Sequence, residues 1–281
     1  MIKEKFDLTG KTALVMGGRG FLGRRFCAAL AEFGANVYSA DLADLSLAAA
    51  SDHTMTSVAT EIKQFDCDVT DPASVKQLIA KISSSSSRID ALVYSVTAKP
   101  RDFYKPFTEC SLEGWQSALR VELDGLFLTT QAVGKLMEQA GAGSMIFLSS
   151  IYGIVGNDQH IYEGANLREL YLGDSADNDL SQKQLYAHPV YAAAKGAVIS
   201  LTRFLAAYWG DNNIRVNCIS PGGLAHPGEN EQFLQRYSAR VPLHRKGGLD
   251  EISGAVVYLA SDASSYVTGH NLVVDGGWTA W

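Results

Sequence analysis

What the chain lacks narrows it first. Cysteine is scarce: Cys27, Cys67, Cys110 and Cys218 stand far apart with no Cys-x-x-Cys, and read as reduced cytosolic thiols. The six histidines, His53, His160, His188, His226, His244 and His270, show no ligand spacing, so no metal site is expected. The net charge is −6 with no long basic block, which argues against nucleic acid as a partner. The start, Met1-Ile-Lys-Glu-Lys-Phe-Asp7, is too polar for a signal peptide, and no apolar run reads as long enough to span a bilayer. A cytoplasmic chain without a membrane partner is therefore expected, and no internal repeat is visible. What remains is 281 residues, 47% apolar and 19% charged, the balance of a globular protein with a large core.

Short apolar runs alternate with helical patterns along the whole length. The runs are Thr12–Met16, Asn36–Asp41, Ile62–Cys67, Ile89–Tyr94, Ser144–Ser149, Ile214–Ile219 and Asn271–Val274. Helical patterns run from the Gly17–Gly23 turn to Phe33, from Asp71 (an N-cap with Pro72 behind it), from Trp115 to Met137, from Tyr191 to Trp209 and from Asp250 to Ala260. This alternation predicts an α/β fold, a single doubly wound parallel sheet with helices on both faces. The serine run Ser83–Ser87 is too short to divide domains, so residues 1–281 read as one domain.

The first run leads straight into Gly17-Gly-Arg19-Gly20-Phe21-Leu22-Gly23 and then a helix, the setting of a phosphate-binding turn. Glycines let the backbone approach a pyrophosphate, whose charge sits at the helix N-terminus. The second run ends in Asp41, placed to bind a ribose 2′-hydroxyl and to repel a 2′-phosphate. Arg19 pulls the other way, since an arginine in this loop can pair with a 2′-phosphate. Because Asp41 is followed by Leu42 and not by a basic residue, NAD is favoured over NADP. Asp68 is a candidate to face an adenine amino group.

Tyr191 and Lys195 are four apart in a helical segment, so the phenol and the ammonium stack on one face. A phenol ionises near pH ~10, and a nearby cation favours its ionised form, which makes a base usable at neutral pH. The pair alone is weak, because a snorkelling lysine on an amphipathic helix has the same spacing. Its company is what counts: Ser150 ends the fifth run, on the sheet edge where ligands of such folds bind.

Across nearly its whole length the chain resembles the short-chain dehydrogenase/reductase family, in its smaller single-domain branch. The likeness rests on the glycine turn, Asp41, Asp68-Val69, Ser150, Tyr191-x-x-x-Lys195, Pro221-Gly222 and the tail from Val267 to Gly277. It implies a Rossmann-type oxidoreductase in which Tyr191 is the acid/base, Lys195 the tuning cation that also binds the nicotinamide ribose, and Ser150 the group that orients the substrate oxygen. Ser149 is the alternative to Ser150, since only one of the two can point into the site. The resemblance further implies cofactor contacts from Gly17, Arg19, Gly20, Phe21, Leu22, Gly23, Asp41, Asp68, Val69, Tyr191, Lys195, Pro221, Gly222 and Leu224. It also implies a homodimer or homotetramer, with the Trp115 and Tyr191 helices at one interface and the Trp278/Trp281 tail near another.

Four positions depart from that pattern. The spacing Gly17-x-x-Gly20-x-x-Gly23 resembles the branch that acts on nucleotide sugars. Tyr94-Ser-Val-Thr97 stands where the family usually has Asn-Asn-Ala-Gly. The relay asparagine falls on Glu122, which can hold the same water or pair with Lys195, and the threonine that holds the nicotinamide amide falls on His226. Two rivals follow, a nucleotide-sugar epimerase or dehydratase and a non-catalytic NAD(H)-binding regulatory subunit.

Between Ser150 and Tyr191 lies an insertion, at about 153–187, with Tyr152, Asp158, Tyr162, Glu163, Tyr171, Asp174, Asp177, Asp179 and Tyr186 in and beside it. Glu163–Leu172 reads as a short helix stopped by Gly173, and the whole is read as a lid because it begins and ends beside the site. Lys99, Arg101 and Lys105 leave the fourth run on the same edge and would attract an anionic group. Tyr-Glu-Gly in the insertion and the tail Gly276–Trp281 are similar to bacterial members linked to flagellin and surface-glycan modification. A small-molecule substrate of sugar or sugar-phosphate character is expected, a secondary alcohol interconverted with a ketone.

Overall fold

The computed structural model describes residues 1–43, 62–172 and 184–281. Seven strands form one parallel sheet in the order β3-β2-β1-β4-β5-β6-β7. They are β1 (Thr12–Met16), β2 (Asn36–Asp41), β3 (Lys63–Asp66), β4 (Ala91–Tyr94), β5 (Gly143–Leu148), β6 (Ile214–Pro221) and β7 (Asn271–Val274). Strand order reverses between β1 and β4, and at that switch point the loops part to leave a crevice. All seven expected strands are present, shifted by a residue or two at their ends.

Every residue of β1 and β4 is buried, because helices cover both faces. On one face α2 (Pro72–Ser85), α4 (Gly125–Ala140) and α6 (Pro189–Tyr208) pack Leu78, Val133 and Val198 against Leu14, Leu92 and Phe147. On the other, α1 (Gly23–Glu32) and α8 (Asp250–Ala260) pack Phe26, Leu30 and Val256 against Val15, Val93 and Ile219. Each such side chain contributes about 2 kcal/mol by leaving water. Asp71 caps α2, accepting the Ala73 N–H at 2.9 Å with Pro72 at the first helical position, as its sequence predicts.

Two of the long helices differ from the sequence reading. The Trp115–Met137 pattern is not one helix. Here α3 (Leu112–Leu119), capped by Ser111, runs into a wide π-turn at Arg120–Asp124 before α4 begins. Apolar periodicity is blind to the extra residue of such a turn, which often marks a functional site. The second difference concerns α6. It spans 20 residues at a mean hydropathy of 1.2, enough in length and composition to cross a membrane. Its apolarity has another cause: Val198, Ile199 and Leu205 are core residues packed under the sheet.

A third apolar cluster sits over the C-terminal edge of the sheet. The insertion supplies Ile161, Tyr162 and Leu167, the last from α5 (Leu167–Tyr171). The helix α7 (Glu231–Ala239), which the sequence reading did not pick out, adds Phe233 and Tyr237. Gly173, Asp174, Asp177 and Asp179 lie outside the described residues.

Candidate active site

The site is built from the ends of the central strands. Where β1 ends, Gly17 has φ +78°, and a Cβ there would stand 2.7 Å from the Ser95 carbonyl oxygen. Gly23 is tighter still: its Cβ would lie 1.9 Å from the Gly17 carbonyl. Only glycines let this turn fold back on the start of α1. Beside it Asp41, nearly buried at the end of β2, accepts the N–H groups of Arg19 and Leu42, each at 2.9 Å.

Arg19 is engaged away from the turn. Its guanidinium pairs with Asp66 at 2.7 Å and donates to the Leu42 carbonyl at 2.9 Å. Asp68 is folded into its own turn, accepting from the Thr70 N–H and hydroxyl at 2.8 Å, and Val69 packs into the core. Neither Asp68 nor Val69 lines the crevice.

Helix α6 starts at His188, whose ring nitrogen accepts the Val190 N–H at 3.1 Å, with Pro189 at its first position. One turn on come Tyr191 and Lys195. The Lys195 ammonium is 5.5 Å from the centre of the Tyr191 ring, 2.8 Å from Glu122 and 3.1 Å from the Leu148 carbonyl. Burial alone would lower the Lys195 pKa, but the Glu122 carboxylate and the Tyr191 phenol outweigh it and hold the ammonium above its ordinary value. Of the two alternatives read for Glu122, the direct pair is the one formed.

The departures around β4 belong with that pair. Tyr94 donates its hydroxyl to the Val121 carbonyl at 2.8 Å, inside the π-turn, and Thr97 donates to Glu122 at 2.5 Å. Tyr94, Thr97 and Glu122 thus form one network that fixes where the Lys195 ammonium sits.

The adjacent serines divide their work. Ser149 donates to the Lys195 backbone carbonyl at 2.8 Å and so ties β5 to α6. Ser150 accepts the Tyr152 N–H at 3.2 Å, which leaves its own O–H to donate. The turn behind them is close: a Cβ on Gly153 would come within 2.6 Å of the Lys195 backbone.

These groups share a cleft of about 490 Å³. Gly17, Gly20, Phe21, Leu22 and Asp41 line one end, Pro221, Gly222 and Leu224 one side, and Ser150, Tyr191 and Lys195 the middle. His226 also lines it, its ring 4.8 Å from that of Phe21 and 5.1 Å from that of Tyr171. Of the three basic residues after β4, Lys99 alone lines the cleft. Crowding by the cleft walls pushes Lys99 down to about 8, opposed by the Glu122 carboxylate, while the residue as a whole stays exposed.

The far end is a wall of hydroxyls and rings. Tyr162 donates to the Tyr152 hydroxyl at 3.0 Å, and Asn157 reaches Tyr162 at 3.4 Å. Lys246 pairs with Glu229, both side chains buried, and its ammonium lies 5.0 Å over Phe233 and 5.4 Å over Tyr237. Sequence reasoning missed Asn157, Glu229, Phe233, Tyr237 and Lys246. A signal existed for α7: Asn230 as a cap, Glu231 in the first turn and Phe233 with Tyr237 four apart. None existed for the Glu229–Lys246 pair, which tertiary folding alone brings together. Among the described residues, no three His, Cys, Asp or Glu side chains converge as a metal-binding group.

A family model described as short chain dehydrogenase matches residues 11–165, and one described as Enoyl-(Acyl carrier protein) reductase matches residues 178–279. The chain belongs to the short-chain dehydrogenase/reductase family, as an oxidoreductase acting on CH–OH groups. It is 34% identical to a D-threitol dehydrogenase of Mycolicibacterium smegmatis, over 98% of this chain and 95% of that one. It superposes with a TM-score of 0.78 on a gluconate 5-dehydrogenase from Burkholderia cenocepacia in complex with NADP and tartrate, at 28% identity, covering 99% and 98% of the two chains. A short chain dehydrogenase from Leptospira borgpetersenii with bound NAD+ gives 0.79 at 26% identity, covering 98% and 95%.

Proposed function

We propose that the protein is an NAD-dependent dehydrogenase that interconverts a secondary alcohol and a ketone on a polyhydroxylated, sugar-like substrate. The observation that carries this is the shared cleft: a glycine turn and Asp41 at one end, Tyr191, Lys195 and Ser150 in the middle, hydroxyl-rich walls at the other. The turn fits a dinucleotide, because Gly17 and Gly23 sit where any Cβ would meet backbone, which keeps its surface open to a pyrophosphate. The nicotinamide, when bound, supplies the acceptor or donor of hydride. NAD is preferred because Asp41 ends β2 while the Arg19 guanidinium is already held by Asp66 and Leu42, away from any 2′-phosphate.

The residues of the chain handle the proton. In oxidation Tyr191 takes it from the substrate hydroxyl, and in reduction returns it to the carbonyl oxygen. Lys195, positive and 5.5 Å from the ring, helps carry the negative charge left on the phenol. Ser150 donates to the same substrate oxygen and sets its position. The insertion, whose Tyr162, Leu167 and Tyr171 form one cleft wall, acts as a lid that keeps water out.

Self-association accompanies this reading. Phe127 on α4 and Phe204 and Tyr208 on α6 are more than half exposed, and the last two rings stack 6.2 Å apart. Trp281 is exposed as a second contact requires, and Trp278 behind it is buried against Tyr237.

The test is a screen of sugar alcohols, sugar acids and sugar phosphates for NADH formation, run beside Tyr191→Phe. Turnover by the native protein and its loss in the variant is the expected result. Conversion of a nucleotide sugar with no net NADH would point to an epimerase or dehydratase. Cofactor binding with no Tyr191-dependent oxidation of anything would leave a regulatory subunit.

A further inference from the structure

At the substrate end of the cleft, among the described residues, the charges do not cancel. Among the described residues, Glu229 in the cleft wall is paired with Lys246, and Glu122 behind it with Lys195. Lys99 is left over. Its ammonium stands 4.0 Å over the centre of the Tyr171 ring, and among the described residues no carboxylate lies within ion-pair distance of it. The ring holds the cation by its π-face without neutralising it. Around it stand Glu122 behind the cleft floor, the Glu229–Lys246 pair beyond Tyr171 and the His226 ring against Tyr171. Asp41 belongs to the opposite, cofactor end.

Lys99 lines the cleft while remaining exposed, so its charge stays available to draw an anionic group in. The hydroxyl and amide groups of Tyr152, Tyr162 and Asn157 line the same cleft, suited to the alcohol groups of a ligand. We propose that Lys99 seats the carboxylate of the substrate, so that the enzyme acts on a polyhydroxy acid in preference to a neutral sugar alcohol. One ammonium balances a singly charged carboxylate, whereas a phosphate carries close to two charges at neutral pH. This inference rests on the dehydrogenase reading for its substrate, and goes beyond it by choosing between the kinds of compound that reading allows.

The test compares D-gluconate, its sugar alcohol D-glucitol and D-glucose 6-phosphate, in the native protein, Lys99→Arg and Lys99→Met. Turnover is followed as NADH formation, and gluconate binding separately by calorimetry, which needs no chemistry. Lys99→Met should weaken gluconate binding about tenfold or more and leave glucitol unchanged, while Lys99→Arg restores the acid. Gluconate affinity of the native protein should fall as pH rises through about 8, where Lys99 gives up its proton, and Lys99→Arg should remove that fall. Equal losses on acid and alcohol, or undiminished gluconate binding by Lys99→Met, would overturn the assignment while leaving the dehydrogenase reading intact. A native preference for glucitol or for the phosphate would do the same. Lys99-dependent gluconate binding without Tyr191-dependent oxidation of any compound would sink the dehydrogenase reading and keep the carboxylate seat.

Discussion

Glu122 and Lys195 meet 2.8 Å apart, with only 3% and 5% of their side chains exposed. A pair so deeply withdrawn is poor evidence of stability by itself, but removing one partner strands the other charge, at about 3–5 kcal/mol. Glu122→Gln keeps the shape and the chance of a hydrogen bond from Thr97, so a loss at the low end of that range is expected in urea unfolding. The more telling effect is on activity. Without the carboxylate the Lys195 ammonium is no longer balanced, and its positive charge acts more strongly on the Tyr191 side of the helix. The acid-side midpoint of the kcat profile should therefore move to lower pH, by on the order of one unit. A midpoint that stays in place would mean that Glu122 only holds Lys195 in position.

In the proposed NAD-dependent reading, Asp41 and Arg19 set the cofactor preference together. Replacing Asp41 by serine removes the charge that repels a 2′-phosphate while keeping an acceptor for the Arg19 and Leu42 N–H groups. The ratio of kcat/KM with NAD to that with NADP should fall by about tenfold or more, as expected for one charge close to the phosphate. Asp66→Ala, which frees the Arg19 guanidinium, should shift the ratio the same way. If NADP is already the better cofactor of the native protein, the role given to Asp41 is wrong.

Two glycines should respond in opposite ways. Gly23→Ala drives a methyl into the Gly17 carbonyl, so the turn must open; stability should drop by about 1–3 kcal/mol and NAD binding should weaken with it. Gly254 is an exposed position in α8 where a Cβ meets nothing within 4 Å. Gly254→Ala should raise stability by about 0.5–1 kcal/mol, because the unfolded chain loses freedom and no contact is disturbed. Thermal unfolding of both variants, with and without NAD, reads the contrast.

What could be read from the residues was local. The strands, the glycine turn, the Asp71 cap and the one-turn spacing of Tyr191 and Lys195 are patterns of near neighbours, and the doubly wound parallel class followed from alternation. The π-turn at Arg120–Asp124 was invisible, since a single inserted residue leaves the apolar stripe on either side intact. The Tyr94–Val121 and Thr97–Glu122 bonds that anchor it join residues more than twenty positions apart. The same holds for the far wall, where α7 and the strap carrying Lys246 are brought against the insertion by packing among Tyr162, Phe233 and Tyr237. Of the basic loop, composition marked three residues and only folding selected Lys99.

His188 makes the start of the Tyr191 helix sensitive to acid. Its Nδ1 accepts the Val190 N–H, so the proton of the neutral ring sits on Nε2, which faces Asp102 at 3.7 Å in a fully buried site. The ring also stacks on Phe103, 5.9 Å away, and Phe103 meets Tyr191 edge-on at 6.1 Å. A second proton on Nδ1 would take away the acceptor that caps α6, three residues before Tyr191. Burial holds the His188 pKa below its ordinary value of 6.5, with Asp102 opposing. A depressed value means that the unfolded chain binds the proton first. The stability this group contributes is thus whole above pH 6.5, declines as pH falls below it and is exhausted once pH passes the folded value. His188→Asn supplies a cap that does not titrate, and should keep activity at pH 7 while flattening the loss of stability on the acid side. His188→Ala should cost about 1 kcal/mol above pH 6.5 and progressively less in acid, and lower kcat more than it raises KM. Unfolding midpoints between pH 5 and 8 for the three proteins decide it, since parallel curves for the native protein and His188→Asn would take the acid response away from His188.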